Sequence, residues 1–385
     1  MVESLPYRMT PFETAVGWLP GYSQSSWPRT PTENPVAALE EIILTALVRH
    51  PCVVAFSGGR DSSAVLAVAV HVARREGLPD PIPCSYVFPG QAAMDESAWQ
   101  EAVVRHLRVA DWERIVINDE HDIVGPYARK VLADLGPIFP PAAHTRELIN
   151  ARACGGAVLT GEGGDEVLGS KRSWVLANVV ARRGLVRSRA HMHAAVSLLP
   201  AMVRRRRAAN ALTGSRPWLR PDAADRWRRT AAADEAGEPL DYRAATRRVL
   251  DSRALQKGLL TLELVAARHD VTLVHPLLDR RFVAAWTAAV GRLGPVSRTV
   301  AMRTLFSGVL PDDVLGRRSK AVFNGAAVHR HARAFAEAWD GHGVDHDLVD
   351  PERLRGEWLS DVPHAGSLAL MQHAYLAQRG MVVAS

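Results

Sequence analysis

The sequence predicts an α/β protein, an open doubly wound parallel sheet followed by a mainly helical C-terminal half. Three observations carry that expectation. Apolar runs of strand length lack the polar alternation of a half-exposed strand, so they read as strands buried on both faces of a parallel sheet. Between about residues 36 and 167 these runs alternate with helical patterns. Two glycine-rich turns, 57–63 and 161–166, each follow such a run.

Residues 1–35 are rich in Pro, Ser, Trp and Thr without a period and read as an irregular arm. VAALEEIILTALVRH (36–50) places Ala37, Leu39, Ile42, Ile43, Leu47 and Val48 near one helical face. The first strand follows, inside VVAFSGGRDSSAVLAV (53–68). AVLAVAVHVARREG (64–77) is a helix ending at Gly77, and PCSYVF (83–88) a second strand. DESAWQEAVVRHL (95–107) opens with acids, as a helix N-terminus favours. ERIVIN (113–118) is a third strand, TRELINARACG (145–155) a helix, and GAVLTGEGGDE (156–166) a fourth strand ending in an acidic turn. The strand signal then stops. Helical patterns fill 258–269, 280–291, 298–308 and 367–380. The expected organisation is an arm 1–35, an α/β core 36–170, an Arg-rich helical insertion 171–250 and a helical part 251–385.

Composition excludes several classes. At 385 residues, 47% hydrophobic and 23% charged, the chain reads as soluble and globular. Its longest apolar stretches, such as 194–203, are too short to span a bilayer. The N-terminus has no basic region followed by an apolar one, so no signal peptide is expected. Cys52, Cys84 and Cys154 lie far apart, which fits free thiols in the cytoplasm and not a zinc site. His191 and His193 read as surface residues. The net charge of +6 is uneven: residues 171–248 hold 18 Lys/Arg against 6 Asp/Glu, about +12, leaving about −6 elsewhere.

The turns carry the chemistry. A turn that leaves a strand and enters a helix presents backbone N–H groups at the positive end of the helix dipole, an anion site. In Ser57-Gly58-Gly59-Arg60-Asp61-Ser62-Ser63 the glycines allow close approach and the hydroxyls add donors, which suits phosphate. A Walker A loop would carry a lysine; here Asp61 stands instead. A carboxylate facing a polyphosphate implies an intervening cation, so Asp61 predicts Mg²⁺. A tight strand–helix connection with an Asp cap explains Gly-Gly and Ser, but not the whole set. Gly161-Glu162-Gly163-Gly164-Asp165-Glu166 puts three acids in six residues. Mutual repulsion makes that costly unless a cation is present; one acid can then hold metal while another accepts a proton. A solvated acidic loop is the plainer alternative.

Ser-Gly-Gly-x-Asp-Ser, followed about a hundred residues later by Gly-Glu-Gly-x-Asp-Glu, resembles the synthetase domain of the asparagine synthetase family. That family of PP-loop ATP pyrophosphatases, with an adenine nucleotide alpha hydrolase-like fold, includes the β-lactam synthetases and the lasso-peptide macrolactam synthetases. The resemblance covers roughly 36–335. It includes FPGQAAMDESAWQEAVVRHL (88–107), VHPLLDRRFV (274–283), and LPDDVLGRRSKAVFNG (310–325) with its Arg-x-Lys before a Phe and a Gly. It implies that ATP activates a carboxylate as an acyl-adenylate, releasing pyrophosphate, and that an amine then forms the amide. By the same resemblance Ser57, Gly59, Ser62 and Ser63 hold the pyrophosphate portion, and Val54, Gly58, Val87 and Gly161 complete the nucleotide site. Asp61 and Asp165 match the Mg²⁺ carboxylates. Glu162 matches the acid that helps deprotonate the amine, and Lys320 the lysine that stabilises charge on pyrophosphate and the tetrahedral intermediate.

Three departures redirect the expected function. Residue 2 is Val and only about 50 residues precede the first turn, so the family's glutaminase domain and its cysteine are not expected. Arg60 replaces an apolar residue; facing solvent is the expectation and contact with a phosphate the alternative. Thr272 and Val274 stand where the family has Glu-x-Arg, which argues against aspartate as substrate. The expectation is an amide-bond synthetase of specialised metabolism that takes small-molecule or peptide carboxylates and amines. A peptide macrolactam synthetase is the alternative. The Arg-rich segment fits a solvated face, or a peptide, carrier-protein or separate amidotransferase partner. Two readings of other classes remain: an ATP-dependent RNA-modifying enzyme using Trp218, Trp227 and the arginines, and a non-catalytic binding relative. No membrane association is expected.

Overall fold

Strand β1, Cys52–Ala55, is buried along its whole length and lies at the centre of a five-stranded parallel sheet. The sheet belongs to a computed structural model that describes residues 8–23, 25–28, 34–181, 195–317 and 327–380. Its order is β3-β2-β1-β4-β5, with β2 Ile82–Val87, β3 Glu113–Val116, β4 Ala157–Thr160 and β5 Thr272–Val274. Val53 pairs with Ile82 on one side and Val158 on the other. Both faces of β1 are covered, as its unbroken apolar run requires. Cys52 and Val54 pack with Leu39, Ile43 and Val65. Val53 and Ala55 face the other way, onto Cys84, Ile149 and Ala266.

After helices α1, Pro11–Val16, and α2, Pro35–Leu47, the chain leaves β1 through helix α3, Arg60–Arg75, to β2, and through α4, Ser97–Leu107, to β3. It then returns to β4, on the opposite side of β1. The order therefore reverses between β1 and β4, and ligands of such sheets bind at the carboxyl ends of strands at this switch point. The two glycine-rich turns leave β1 and β4, so the topology makes them neighbours. α3 starts four residues earlier than its apolar pattern suggests, with Gly59 as its extended N-cap. Asp61, Ser62 and Ser63 thus occupy its first turn. The pattern at 145–155 resolves into a 3-10 turn, Pro141–Arg146, and a short helix, Glu147–Asn150.

Two expectations need correction. The strand signal does not end at 167: β5 extends the sheet beside β4, in register Val158–Leu273. Three residues of strand, each half-buried, are too few to stand out from the helical patterns around them. Nor is the arm irregular throughout. Pro11–Val16 is a helix whose capping box pairs Thr10 and Glu13 reciprocally. Gly17 closes it with φ 61, where a Cβ would meet the Gly366 carbonyl oxygen at 2.0 Å. Phe12, Val16 and Leu19 are buried, Phe12 and Val16 in a second core with Trp218, Trp339, Trp358 and Met371.

Within the Arg-rich segment, Trp218 and Trp227 are buried. Trp218 Nε1–H donates to the Ala15 carbonyl (2.8 Å), and the Arg216 guanidinium lies over the Trp227 ring. Neither indole is free to stack on a base, which removes the aromatic platform of the RNA reading. Arg205, Arg206 and Arg207 are exposed on the helix Ala201–Ala211. His191 and His193 lie outside the described residues. Cys52 and Cys84 are buried free thiols, each pushed up to about 12 by burial, while Cys154 is exposed. No described helix is long and apolar enough to cross a membrane.

Candidate active site

The first turn is an internally braced loop. Ser57 N–H donates to Ser62 Oγ (3.2 Å), Ser62 Oγ–H to the Gly59 carbonyl (3.1 Å) and Gly59 N–H to Ser57 Oγ (3.3 Å). Gly58 has φ 81, and a Cβ there would lie 2.8 Å from Gln100 Cγ, so the close approach of α4 requires glycine. Gln100 Nε2–H donates to the Ser57 carbonyl (3.3 Å). Ser57 is exposed at the loop tip, whereas Ser63 is fully buried with no hydrogen-bond partner for Oγ among the described residues.

A buried arginine braces this loop from the far side. Arg317 forms a two-pronged ion pair with Glu96 (2.5–2.6 Å), donates to the Gly58 carbonyl (2.9 Å) and lies over the Trp99 ring. It ends the stretch leading to Lys320, which itself lies outside the described residues.

The second turn packs directly on the first. A Cβ on Gly161 would sit 2.7 Å from Ser62 N, and one on Gly164 2.1 Å from Asp61 Cγ. The spacing of glycines in Gly161-Glu162-Gly163-Gly164 therefore makes room for the Asp61 carboxylate. Arg298, first residue of the helix Arg298–Phe306, spans the two carboxylates matched to the metal. One Nη–H donates to Asp61 Oδ2 (2.5 Å) and the other to Asp165 Oδ1. Burial raises the Asp61 carboxyl above its ordinary range, outweighing its arginine partner. Burial works against the Arg298 charge too, but Asp61 and Asp165 together raise its pKa. Arg60 is half-buried, with Nη1–H donating to Thr299 Oγ1 (3.4 Å), so it turns toward this helix and not to open solvent.

The residues fit Mg²⁺. Two carboxylates from two turns reach a single cationic group, and Asp61 Oδ1 is buried without a partner among the described residues. Among the described residues no group of three or more metal-ligating side chains exists. Mg²⁺ needs none, since it takes one or two carboxylates and completes its shell with phosphates and water.

Glu162 faces a different part of the site. Its carboxylate accepts from Arg146 (2.5 Å), and its N–H donates to Thr160 Oγ1 (3.3 Å). Thr160 Oγ1 is hydrogen-bonded to His275 Nδ1 (2.7 Å). Arg146 also lines a cleft at the ends of β1 and β2, with Phe56, Ser57, Tyr86, Phe88 and Met94. Val54 and Val87 do not line it: Val54 is buried in the core, and the Val87 carbonyl accepts from Ile117 N–H. Their neighbours Ala55, Phe56, Tyr86 and Phe88 supply the walls.

Burial keeps several histidines neutral. His275 is pushed down to about 4, His121 to about 3 and His373 to about 4, each mainly by desolvation. A histidine depressed in the folded state binds fewer protons there than in the unfolded chain, where its pKa is about 6.5. Stability therefore falls as pH drops below about 6.5 and continues to fall until the folded pKa is reached. One pH unit below 6.5 costs about 1.4 kcal/mol for each such group. Urea unfolding at about pH 5.5 should show a stability lower by a few kcal/mol than at about pH 7.5, and His275→Gln should flatten that slope.

The family model described as asparagine synthase matches residues 43–376. The chain belongs to the asparagine synthase family. No curated protein matches it at a significant level. This asparagine synthase family member is accordingly an ATP-dependent carbon–nitrogen ligase at the level the family defines. In it, three site arginines escaped the sequence reading: Arg146, Arg298 and Arg317. Arg146 and Arg298 sit in stretches that read as ordinary helix and join their partners only through the fold.

Proposed function

We infer that the chain is an AMP-forming amide-bond synthetase that adenylates a carboxylate other than aspartate and couples it to an amine. The observation carrying this reading is the convergence of Asp61 and Asp165 on one cationic point where the turns after β1 and β4 meet, at the sheet's switch point; the first turn also borders, through Ser57, a cleft at the ends of β1 and β2. The cleft's apolar walls suit a nucleobase, and the first turn suits phosphate. Mg²⁺ held by Asp61 and Asp165 would neutralise charge on the departing pyrophosphate.

The chain's own residues would divide the work. Ser57, Gly59 and Ser62 position the phosphates through hydroxyls and backbone N–H groups at the head of α3. The substrate carboxylate oxygen bonds to the α-phosphorus as the bond to pyrophosphate breaks. The amine nitrogen then attacks the acyl carbon, its proton passes to Glu162, and AMP leaves. Lys320, by resemblance, completes the charge stabilisation. Arg146, which pairs with Glu162, lines the cleft and is the residue assigned to the substrate carboxylate; Val274 leaves the position of the family's usual arginine apolar. Losing such a charge-assisted contact costs about 1.5–3 kcal/mol. Arg146→Met is expected to raise KM for the carboxylate about ten- to a hundredfold, measured by steady-state kinetics.

The test of the reading is product analysis with Mg-ATP and pools of carboxylates, amines and short peptides. AMP and pyrophosphate formed only with particular substrates support it; ADP and phosphate contradict it. The same pools separate a small-molecule ligase from a macrolactam synthetase, which acts on a linear peptide and releases a cyclic one.

A further inference from the structure

Arg298 does more than neutralise charge. Its two Nη groups contact carboxylates from different elements, Asp61 in the first turn of α3 and Asp165 in the helix Gly164–Leu168. Its side chain is largely buried (18% exposed), as is that of Asp61 (20%). Arg298 Nε and Asp61 Oδ1 are buried without partners among the described residues, so the contact leaves hydrogen-bonding capacity unused on both sides. A Cβ on Gly164 would overlap the Asp61 carboxylate, 2.1 Å from its Cγ, so glycine there lets that carboxylate seat against the second turn. The Arg298 guanidinium, at the point where the two carboxylates converge, holds the two turns together with no metal.

A divalent cation entering the same point must displace or face that guanidinium, and Arg60 stands close to the same carboxylates. Like charges at such distances repel strongly in a partly buried site. Nucleotide phosphates change the balance: they bring negative charge for the metal and an alternative partner for the arginine.

We propose that Arg298 holds the place of the metal in the nucleotide-free protein, so that Mg²⁺ enters only together with ATP. This rests on the synthetase reading, because it takes Asp61 and Asp165 as the metal carboxylates. Arg298 is on this account a positioning residue: it keeps the two carboxylates converged, and it sets the order of binding.

Mn²⁺ is the probe, followed by electron paramagnetic resonance on the full chain, alone and with α,β-methylene ATP. The wild-type chain is expected to bind Mn²⁺ tightly only with the nucleotide analogue. Arg298→Ala and the closer isostere Arg298→Gln are expected to bind Mn²⁺ alone about tenfold or more tighter than wild type. Mg²⁺ alone should also raise the melting temperature of each variant, but not of wild type, a rescue that a merely structural arginine does not give. Variants that bind Mn²⁺ alone no better than wild type overturn the proposal. The wild-type chain decides it even if both variants fail to fold: Mn²⁺ bound as tightly without nucleotide as with it overturns the proposal and leaves the synthetase reading intact. Absence of Mn²⁺ binding even with the analogue overturns both.

Discussion

Asp61→Asn is expected to abolish adenylation while leaving the fold at least as stable as before. The carboxylate lies on the first turn of α3, where the strand-end loop directs it against the second turn. If it holds Mg²⁺, its loss removes much of the charge neutralisation on pyrophosphate, several kcal/mol of transition-state stabilisation. The rate of substrate-dependent AMP formation should fall by about a thousandfold or more. The stability side follows from burial. Because desolvation raises the Asp61 carboxyl above its unfolded value, its ionised form is a net cost to folding at neutral pH. A neutral isostere removes that cost, and Arg298 keeps Asp165 as a partner. Thermal melting without nucleotide should therefore show an unchanged or higher midpoint. A large drop in the midpoint would mean that Asp61 serves structure, not catalysis.

Glu162→Gln is expected to separate the two half-reactions. Glu162 pairs with Arg146 at the wall of the cleft, whereas Asp61 and Asp165 pair with Arg298. Its proposed work begins only when the amine attacks. General-base catalysis contributes about a hundred- to ten-thousandfold. Amide formation should fall by that order, while pyrophosphate exchange into ATP, which reports adenylation alone, should change little. Equal loss of both would place Glu162 in substrate binding or in the first step.

β1 and β4 were legible because they are apolar and buried on both faces, whereas β3 buries only Ile115. β1 and β4 announced themselves in this way, as did the turns that leave them. β5 did not: Thr272–Val274 is short and half-buried, and only its pairing with β4 makes it a strand. Residues 11–16 lacked a readable period because the helix is six residues long; its burial comes from Trp218 and the C-terminal helices. In the site, residues on the two turns were legible because their spacing is local. The arginines were not. Arg298 lies 237 positions from Asp61, and Arg317 lies 221 from Glu96, so only the fold joins them. Arg146 and Glu162 are 16 apart, but a strand and a turn separate them and nothing in TRELIN distinguishes that arginine from a surface one.

The central claim is that a carboxylate attacks the α-phosphorus of ATP at the site where Asp61 and Asp165 converge. The most direct measurement follows the oxygen. A substrate found in the pooled assay is prepared with its carboxylate labelled in heavy oxygen, and the nucleotide and phosphate products are examined by mass spectrometry. Adenylation predicts one labelled oxygen in AMP and none in pyrophosphate. Label in inorganic phosphate, with ADP as the nucleotide product, would show attack on the γ-phosphorus and contradict the account.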